Sequence, residues 1–389
     1  MDNFMFINPT RIIFGKGTEN EVGKYAKMYS DRVLFHYGGE SIKKSGLYDR
    51  VKKALQDENL TVFELGGVKP NPRLSLVYEG IKMCKEDNIG LVLAVGGGSV
   101  IDSAKAIAMG AVYDGDVWDF FTGRAEVEKA LPVGTVLTIP AAGSEASTGC
   151  VITKEEGQLK RAVNSEHIYP RFSILNPELA YTLPPYQVAC GASDILAHLQ
   201  ERYFTNSKHV EITDRLIEAT MKTIINNIPK VLQNPRDYDA WAEVMWAGTI
   251  AHNNLLNTGR EGDWGSHDIE HEISGIYDIA HGAGLAIVFP AWMKYVYKHD
   301  VKRFAQWASR VWNVDYDFFD EEKTALLGIE KYERFLRDIG LPTRFSHVNI
   351  GDDKFMEMAK KCTDYDTHTT GTFIRLDSKA IYEIYNLAK

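Results

Sequence analysis

Residues Ser193 to Glu201 read SDILAHLQE and set a carboxylate, Asp194, four residues before an imidazole, His198, where Ile195, Leu196 and Leu199 follow a helical pattern. On a helix that spacing puts both side chains on one face, where they can share a hydrogen bond or hold one ion. An isolated pair of this kind is more often a helix-stabilising contact. A second stretch shifts the balance: DWGSHDIEHEISGIYDIAHGAG, residues 263–284, carries His267, His271 and His281, three of only 11 histidines. Imidazole and carboxylate together suit iron or zinc better than magnesium or calcium. His267 and His271 can act as an i, i+4 ligand pair, or either can combine with His281, and chemistry alone does not choose. His209 and His252 fall outside the cluster and are expected to satisfy core hydrogen bonds.

A different chemistry is written in LVLAVGGGSVIDSAKAIA, residues 91–108. An apolar strand enters Gly96, Gly97, Gly98 and Ser99, and a helix begins just after them. Three glycines let backbone N–H groups approach a ligand, and the helix N-terminus suits a phosphate. The spacing is not the GxGxxG fingerprint. A second polar turn, TIPAAGSEAST (138–148), also follows an apolar strand. Two such turns after parallel strands fall at the carboxyl edge of a sheet, where doubly wound folds bind nucleotides.

The elements that must position these groups change character near mid-chain. RVLFHY (32–37), TVFEL (61–65), LVLAV (91–95) and VGTVLTIP (133–140) alternate with helical stretches such as LYDRVKKALQDE and LSLVYEGIKMCKED. This alternation predicts a parallel sheet covered on both faces. Beyond YTLPPYQ (181–187) the periodicity is almost wholly helical. The expected fold class is α/β plus all-α, with a sheet domain over 1–183 and a helical domain over 184–389.

Composition narrows the ligands. The 389 residues are 44% hydrophobic and 25% charged, enough for two domains with real cores. A net charge of -9 disfavours nucleic acid or an anionic membrane, since either needs a concentrated Lys/Arg face. No secretory signal and no membrane-length apolar run is visible, and Cys84, Cys150, Cys190 and Cys362 lack CxxC spacing. A cytoplasmic enzyme acting on a small molecule is expected.

Taken in order, VGGGSVID, GSE, D-x3-H and H-x3-H-x9-H resemble the iron-containing (group III) alcohol dehydrogenases, in particular their NADPH-dependent butanol dehydrogenase and aldehyde reductase branch. The likeness runs from INPTRIIFGKG through YGGESIKKSG and HGAGLAIVFPAWM to LGIEKYERFLRDIGLPT. It implies a dehydroquinate synthase-like architecture with an N-terminal Rossmann-like, nucleotide-binding domain and a C-terminal metal-binding one. It also implies one divalent metal, Fe2+ first and Zn2+ next, on Asp194, His198, His267 and His281, with His271 beside it in the substrate pocket. Gly96, Gly97, Gly98 and Ser99 would cradle the cofactor diphosphate, Asp102 would lie on the nicotinamide side, Thr138 and Ser144 would line the groove, and Lys160 would contact the ribose. Many relatives read TTAGTGSE where this chain reads IPAAGSE, so Ala141 and Ala142 supply no hydroxyls there. A homodimer is implied by the resemblance.

Cofactor choice turns on YGGESIKKSG. NAD-using relatives carry Asp seven residues before the glycine matched by Gly46, and this chain has Gly39. With Gly38 and Gly39 small, Ser41 can donate to a 2′-phosphate and Lys43 or Lys44 can supply charge, which favours NADP(H) over NAD(H). Glu40, turned inward, would restore an NAD preference. The implied reaction is metal-assisted hydride transfer between the nicotinamide and a small primary alcohol or aldehyde such as butanol or butyraldehyde, with His271 relaying the hydroxyl proton. A polyol (glycerol-type) dehydrogenase on the same fold is one alternative. A metal-dependent phosphate-ester hydrolase, which would release phosphate without nicotinamide, is another.

Overall fold

The computed structural model describes residues 1–389. Eight strands form: β1 (Arg11–Phe14), β2 (Arg32–Tyr37), β3 (Thr61–Leu65), β4 (Leu91–Gly96), β5 (Val133–Leu137), β6 (Gly149–Lys154), β7 (Leu159–Asn164) and β8 (Phe172–Leu175). Six pair in parallel in the order β1-β8-β5-β4-β2-β3, while β6 and β7 make a separate antiparallel hairpin. The central strands are apolar on both sides because helices cover both sides. Along β2 and β4 the side chains alternate between two cores: Val33, Phe35, Leu91, Leu93 and Val95 pack with Val51 and Leu55 on one face. Leu34, Val92 and Ala94 pack with Val77, Ile101 and Ala104 on the other.

The chain runs from β2 outward to β3, then returns to place β4 on the other side of β2. Strand order therefore reverses between β2 and β4, which opens a crevice at their carboxyl ends. Register pairs His36 with Ala94 and Tyr37 with Val95, so Gly38 and Gly96 leave the sheet side by side.

The chain separates into two compact units, Ile7–Leu183 with Pro235–Asn253, and Met1–Phe6 with Pro184–Asn234 and Asn254–Lys389. A single division after residue 183 therefore misses one element. The Tyr238–His252 helix belongs with the sheet: Thr249 Oγ1 donates to Glu145 Oε1 at 2.6 Å, and Asn8 Nδ2 donates to Asn253 O and Ala146 O at 3.0 and 2.8 Å. Helical periodicity reports a helix but not the unit it packs in.

The other unit is helical. Its Pro185–Tyr203 helix starts with Pro185 in its first turn, where a missing N–H costs nothing, and is buried without a break from Val188 to Tyr203. A helix enclosed all round is normally apolar. This one carries Asp194, His198, Glu201 and Arg202 inside, so each needs a partner or an ion. No helix is long and apolar enough to cross a membrane.

Candidate active site

Asp194 and His198 stand one turn apart on that enclosed helix. Asp194 Oδ1 is buried and has no hydrogen-bond partner. Three imidazole nitrogens converge on it: His198 Nε2 at 3.6 Å, His267 Nε2 at 3.8 Å and His281 Nε2 at 3.8 Å. Those distances are too long for hydrogen bonds. They approach the edge of a tetrahedral donor set, which is about 3.4 Å when each donor lies about 2.1 Å from a shared ion. His267 Nε2 is also buried and without a hydrogen-bond partner. The donor atoms of Asp194, His267 and His281 all lie within 4.8 Å of one another, and the His198 ring is stacked 4.8 Å from that of His267. His271 instead groups with His281 and Glu270, its ring centre 5.6 Å from that of His281.

Two buried glutamates aim the imidazoles. Glu201 Oε1 accepts from His267 Nδ1 at 3.0 Å, and Glu270 Oε2 accepts from His281 Nδ1. A carboxylate only accepts, so each Nδ1 carries a proton and each Nε2 is the atom turned toward Asp194. Burial lowers the pKa of His267, but Asp194 and Glu201 outweigh it and raise the value to about 9. The carboxylates thus demand positive charge at this point, and a divalent cation fits the donor set.

Local sequence makes the convergence possible. His281 opens the His281–Val296 helix in the string HGAG. A Cβ on Gly282 would lie 2.0 Å from Cys190 O, and one on Gly284 would lie 2.3 Å from Glu270 Oε1. Only hydrogen at these positions lets this helix lie against Pro185–Tyr203 and leaves space for the Glu270 carboxylate. Trp264 precedes the Gly265–Tyr277 helix with φ 64°, a conformation costly for a bulky side chain. Its N–H donates to Glu201 Oε2 at 2.7 Å, and its ring lies 5.3 Å from His267 and 6.0 Å from His198.

In the sheet unit, Gly38, Gly96 and Thr138 form a row at the strand ends, with Thr138 N–H bonded to Gly96 O at 3.0 Å. Gly97 precedes the Gly98–Gly110 helix, whose first N–H groups have no intrahelical acceptor. Ser99 is half-buried in its first turn. A Cβ on Gly39 would meet nothing within 4 Å. Beside it, Glu40 and Ser41 are exposed, and Glu40 Oε1 accepts from Lys43 Nζ at 3.1 Å. Asp102 and Ser144 are joined, Ser144 Oγ donating to Asp102 Oδ1 at 2.6 Å, while Val151 N–H takes Oδ2 at 3.0 Å. Burial raises the Asp102 pKa, with Lys105 the largest opposing influence and Lys160 a smaller one. Lys160 itself stands in the β6–β7 hairpin and donates to Asn71 Oδ1 at 3.1 Å.

Residues 9–177 match the family described as iron-containing alcohol dehydrogenase, and residues 188–388 match the C-terminal region of the same family. The chain belongs to the iron-containing alcohol dehydrogenases. It is 45% identical over 354 residues to a probable NADH-dependent butanol dehydrogenase 2 of Bacillus subtilis, covering 91% of each chain. It is 38% identical to the NADPH-dependent aldehyde reductase YqhD of Escherichia coli, over 98% of this chain and 99% of that one. The crystal structure of an NADH-dependent butanol dehydrogenase A from Thermotoga maritima superposes with a TM-score of 0.96 at 41% identity, covering 100% of this chain and 99% of the other. The fold is thus the dehydroquinate synthase-like one of the iron-containing alcohol dehydrogenases, and the chain is an oxidoreductase acting on alcohols.

Sequence reasoning about this alcohol dehydrogenase missed Glu201 and Glu270. Each lies three residues after a histidine of the cluster, His198 and His267, and that spacing was the available signal. His209 is corrected: it is exposed in a left-handed turn at φ 59° rather than placed in the core. His252 is half-buried against Gly143, where a Cβ would lie 2.5 Å from the histidine Cβ.

Proposed function

We propose that this chain interconverts small primary alcohols and aldehydes, with butanol and butyraldehyde as representative substrates, using NADP(H) and one divalent metal. The observation that carries the metal assignment is the buried, partnerless Asp194 Oδ1 facing three Nε2 atoms. Asp194, His198, His267 and His281 would hold the ion, Fe2+ first and Zn2+ next. When bound, the ion supplies Lewis acidity toward a carbonyl or alcohol oxygen and the nicotinamide supplies or accepts the hydride.

The chain's own residues do the rest. Glu201 and Glu270 fix the tautomers of His267 and His281, and Trp264 walls two of the imidazoles. His271, close to His281 but outside the Asp194 group, would relay the hydroxyl proton, since an imidazole can accept at one ring nitrogen and donate at the other. Gly96, Gly97, Gly98 and Ser99 receive the diphosphate at the helix N-terminus, with Gly38, Thr138 and Ser144 lining the groove, Asp102 behind Ser144 and Lys160 toward the ribose. NADP(H) is favoured over NAD(H) because Gly39 leaves open space, Ser41 and Lys43 follow it, exposed, in the Ser41–Lys44 helix, and Glu40 is engaged by Lys43. We place the enzyme in the cytoplasm as a homodimer, with a nucleotide-binding sheet unit and a metal-binding helical unit.

Purified protein loaded with Fe2+ or Zn2+ is mixed with butyraldehyde and NADPH or NADH, and nicotinamide absorbance is followed. Aldehyde-dependent oxidation with higher kcat/KM for NADPH supports the reading. Phosphate-ester hydrolysis without nicotinamide, or turnover with glycerol alone, overturns it.

A further inference from the structure

The Gly98–Gly110 helix carries more than the turn at its start. Two turns along, the side chain of Lys105 is completely enclosed. An ammonium is costly there unless its donors are satisfied. Backbone satisfies them: Nζ donates to Ser147 O at 2.9 Å and Gly149 O at 2.8 Å, with Ser147 Oγ at 3.5 Å. One turn earlier, Asp102 takes Ser144 Oγ–H and Val151 N–H on its two carboxylate oxygens, and Cys150 Sγ donates to its carbonyl at 3.2 Å.

The segment held in this way has little regular structure of its own. Residues 141–149 read AAGSEASTG and contain one short turn, Ser144–Ala146, entered through Gly143 at φ 63°. Its inward carbonyls have no ladder partners and must find donors elsewhere. The same segment begins on top of the glycine turn: a Cβ on Gly97 would lie 3.0 Å from that of Ile139, and one on Gly98 2.8 Å from that of Ala142. Whatever fixes residues 139–151 against the helix also fixes the gap above Gly96 to Ser99.

We propose that Lys105, acting with Asp102, is a positioning residue for the cofactor: it clamps residues 144–151 to the Gly98–Gly110 helix and so sets the width of the groove between the glycine turn and residues 138–142. The proposal rests on the reading of that turn as the diphosphate site. Lys105 is sealed from solvent, so it reaches the cofactor only through the segment it holds, chiefly by the carbonyls of Ser147 and Gly149.

The test compares metal-loaded wild type with Lys105→Met, which removes both hydrogen bonds to the carbonyls, and Lys105→Gln, which keeps two N–H groups without the charge. NADPH binding is titrated by fluorescence, and kcat, cofactor KM, aldehyde KM and metal content are measured alongside. Lys105→Met should weaken NADPH binding and raise cofactor KM by about tenfold, the cost of roughly one or two buried hydrogen bonds. Aldehyde KM and metal content should be unchanged and kcat changed far less, with Lys105→Gln between wild type and Lys105→Met. If Lys105→Met does not fold, Lys105→Gln decides, since the clamp requires its NADPH dissociation constant to rise. Wild-type affinity in a folded variant overturns the clamp, as does a loss shared equally by aldehyde KM and metal content. Failure of the wild type to bind either nicotinamide cofactor overturns the diphosphate reading itself.

Discussion

Replacing Glu201 with glutamine tests whether an outer carboxylate controls the metal pocket. Glu201 accepts on Oε1 from Ser266 Oγ at 2.5 Å, from His267 N–H at 3.2 Å and from His267 Nδ1 at 3.0 Å, and on Oε2 from Trp264 N–H at 2.7 Å. Glutamine keeps the shape but has one accepting oxygen. With that oxygen in the Oε1 position, its NH2 faces the Trp264 N–H; flipped, its NH2 faces all the other donors. The first orientation costs less, yet it forfeits one buried hydrogen bond to a charged acceptor, about 1.5–3 kcal/mol, and weakens the hold on His267 Nδ1. At 1.4 kcal/mol per tenfold, a loss of that size expressed in metal binding is about 10–100-fold, the usual cost of altering a group that orients a ligand imidazole. Glu201→Gln and wild type are loaded with Zn2+ and titrated with a competing chelator, while circular dichroism and melting report the fold. A folded Glu201→Gln protein with wild-type metal affinity refutes the reasoning.

His198→Ala and His281→Ala should each lose metal and activity together, and full metal occupancy in both would remove these residues from the donor set. His271→Ala should keep its metal and slow turnover by about 10²-fold if the imidazole relays a proton, measured as kcat across pH; an unchanged profile leaves His271 as packing. Gly39→Asp should move the ratio of kcat/KM for NADPH to that for NADH toward NADH, because the new carboxylate repels a 2′-phosphate and accepts from a ribose hydroxyl. An unaltered ratio would mean that residue 39 does not face the ribose.

The legible parts of this chain were those where local pattern and final environment agree. RVLFHY and TVFEL became β2 and β3 residue for residue, because apolar runs bounded by polar turns have few other uses. β1 and β8 have four residues each, too short to carry a period, and the β6–β7 hairpin mixes lysine and arginine with valine because it lies outside the main sheet. The four-residue spacing of Asp194 and His198 marked a shared face, but spacing alone left His267, His271 and His281 equivalent. Their difference lies in direction: His267 and His281 turn Nε2 toward Asp194, whereas His271 faces His281 and Glu270. Glu201 and Glu270 look like ordinary helix-surface glutamates until the burial of their helices is known. Lys105 was hidden for the same reason, since a lysine beside small residues reads as solvated.

The chain passes between the two compact units at 6/7, 183/184, 234/235 and 253/254. Neither unit is one uninterrupted length of polypeptide. As the protein leaves the ribosome, the first 183 residues emerge with all the strands of the sheet, but the Tyr238–His252 helix follows only after residues 184–234 of the other unit have been made. Until then Glu145 lacks Thr249, and Asn8 lacks the Asn253 carbonyl. The sheet unit therefore finishes folding after synthesis of the helical unit is under way, and a fragment ending at residue 183 lacks one of its own parts. The same connectivity governs recombination among relatives: a chimaera that exchanges the sheet unit must carry residues 7–183 and 235–253 from the same parent.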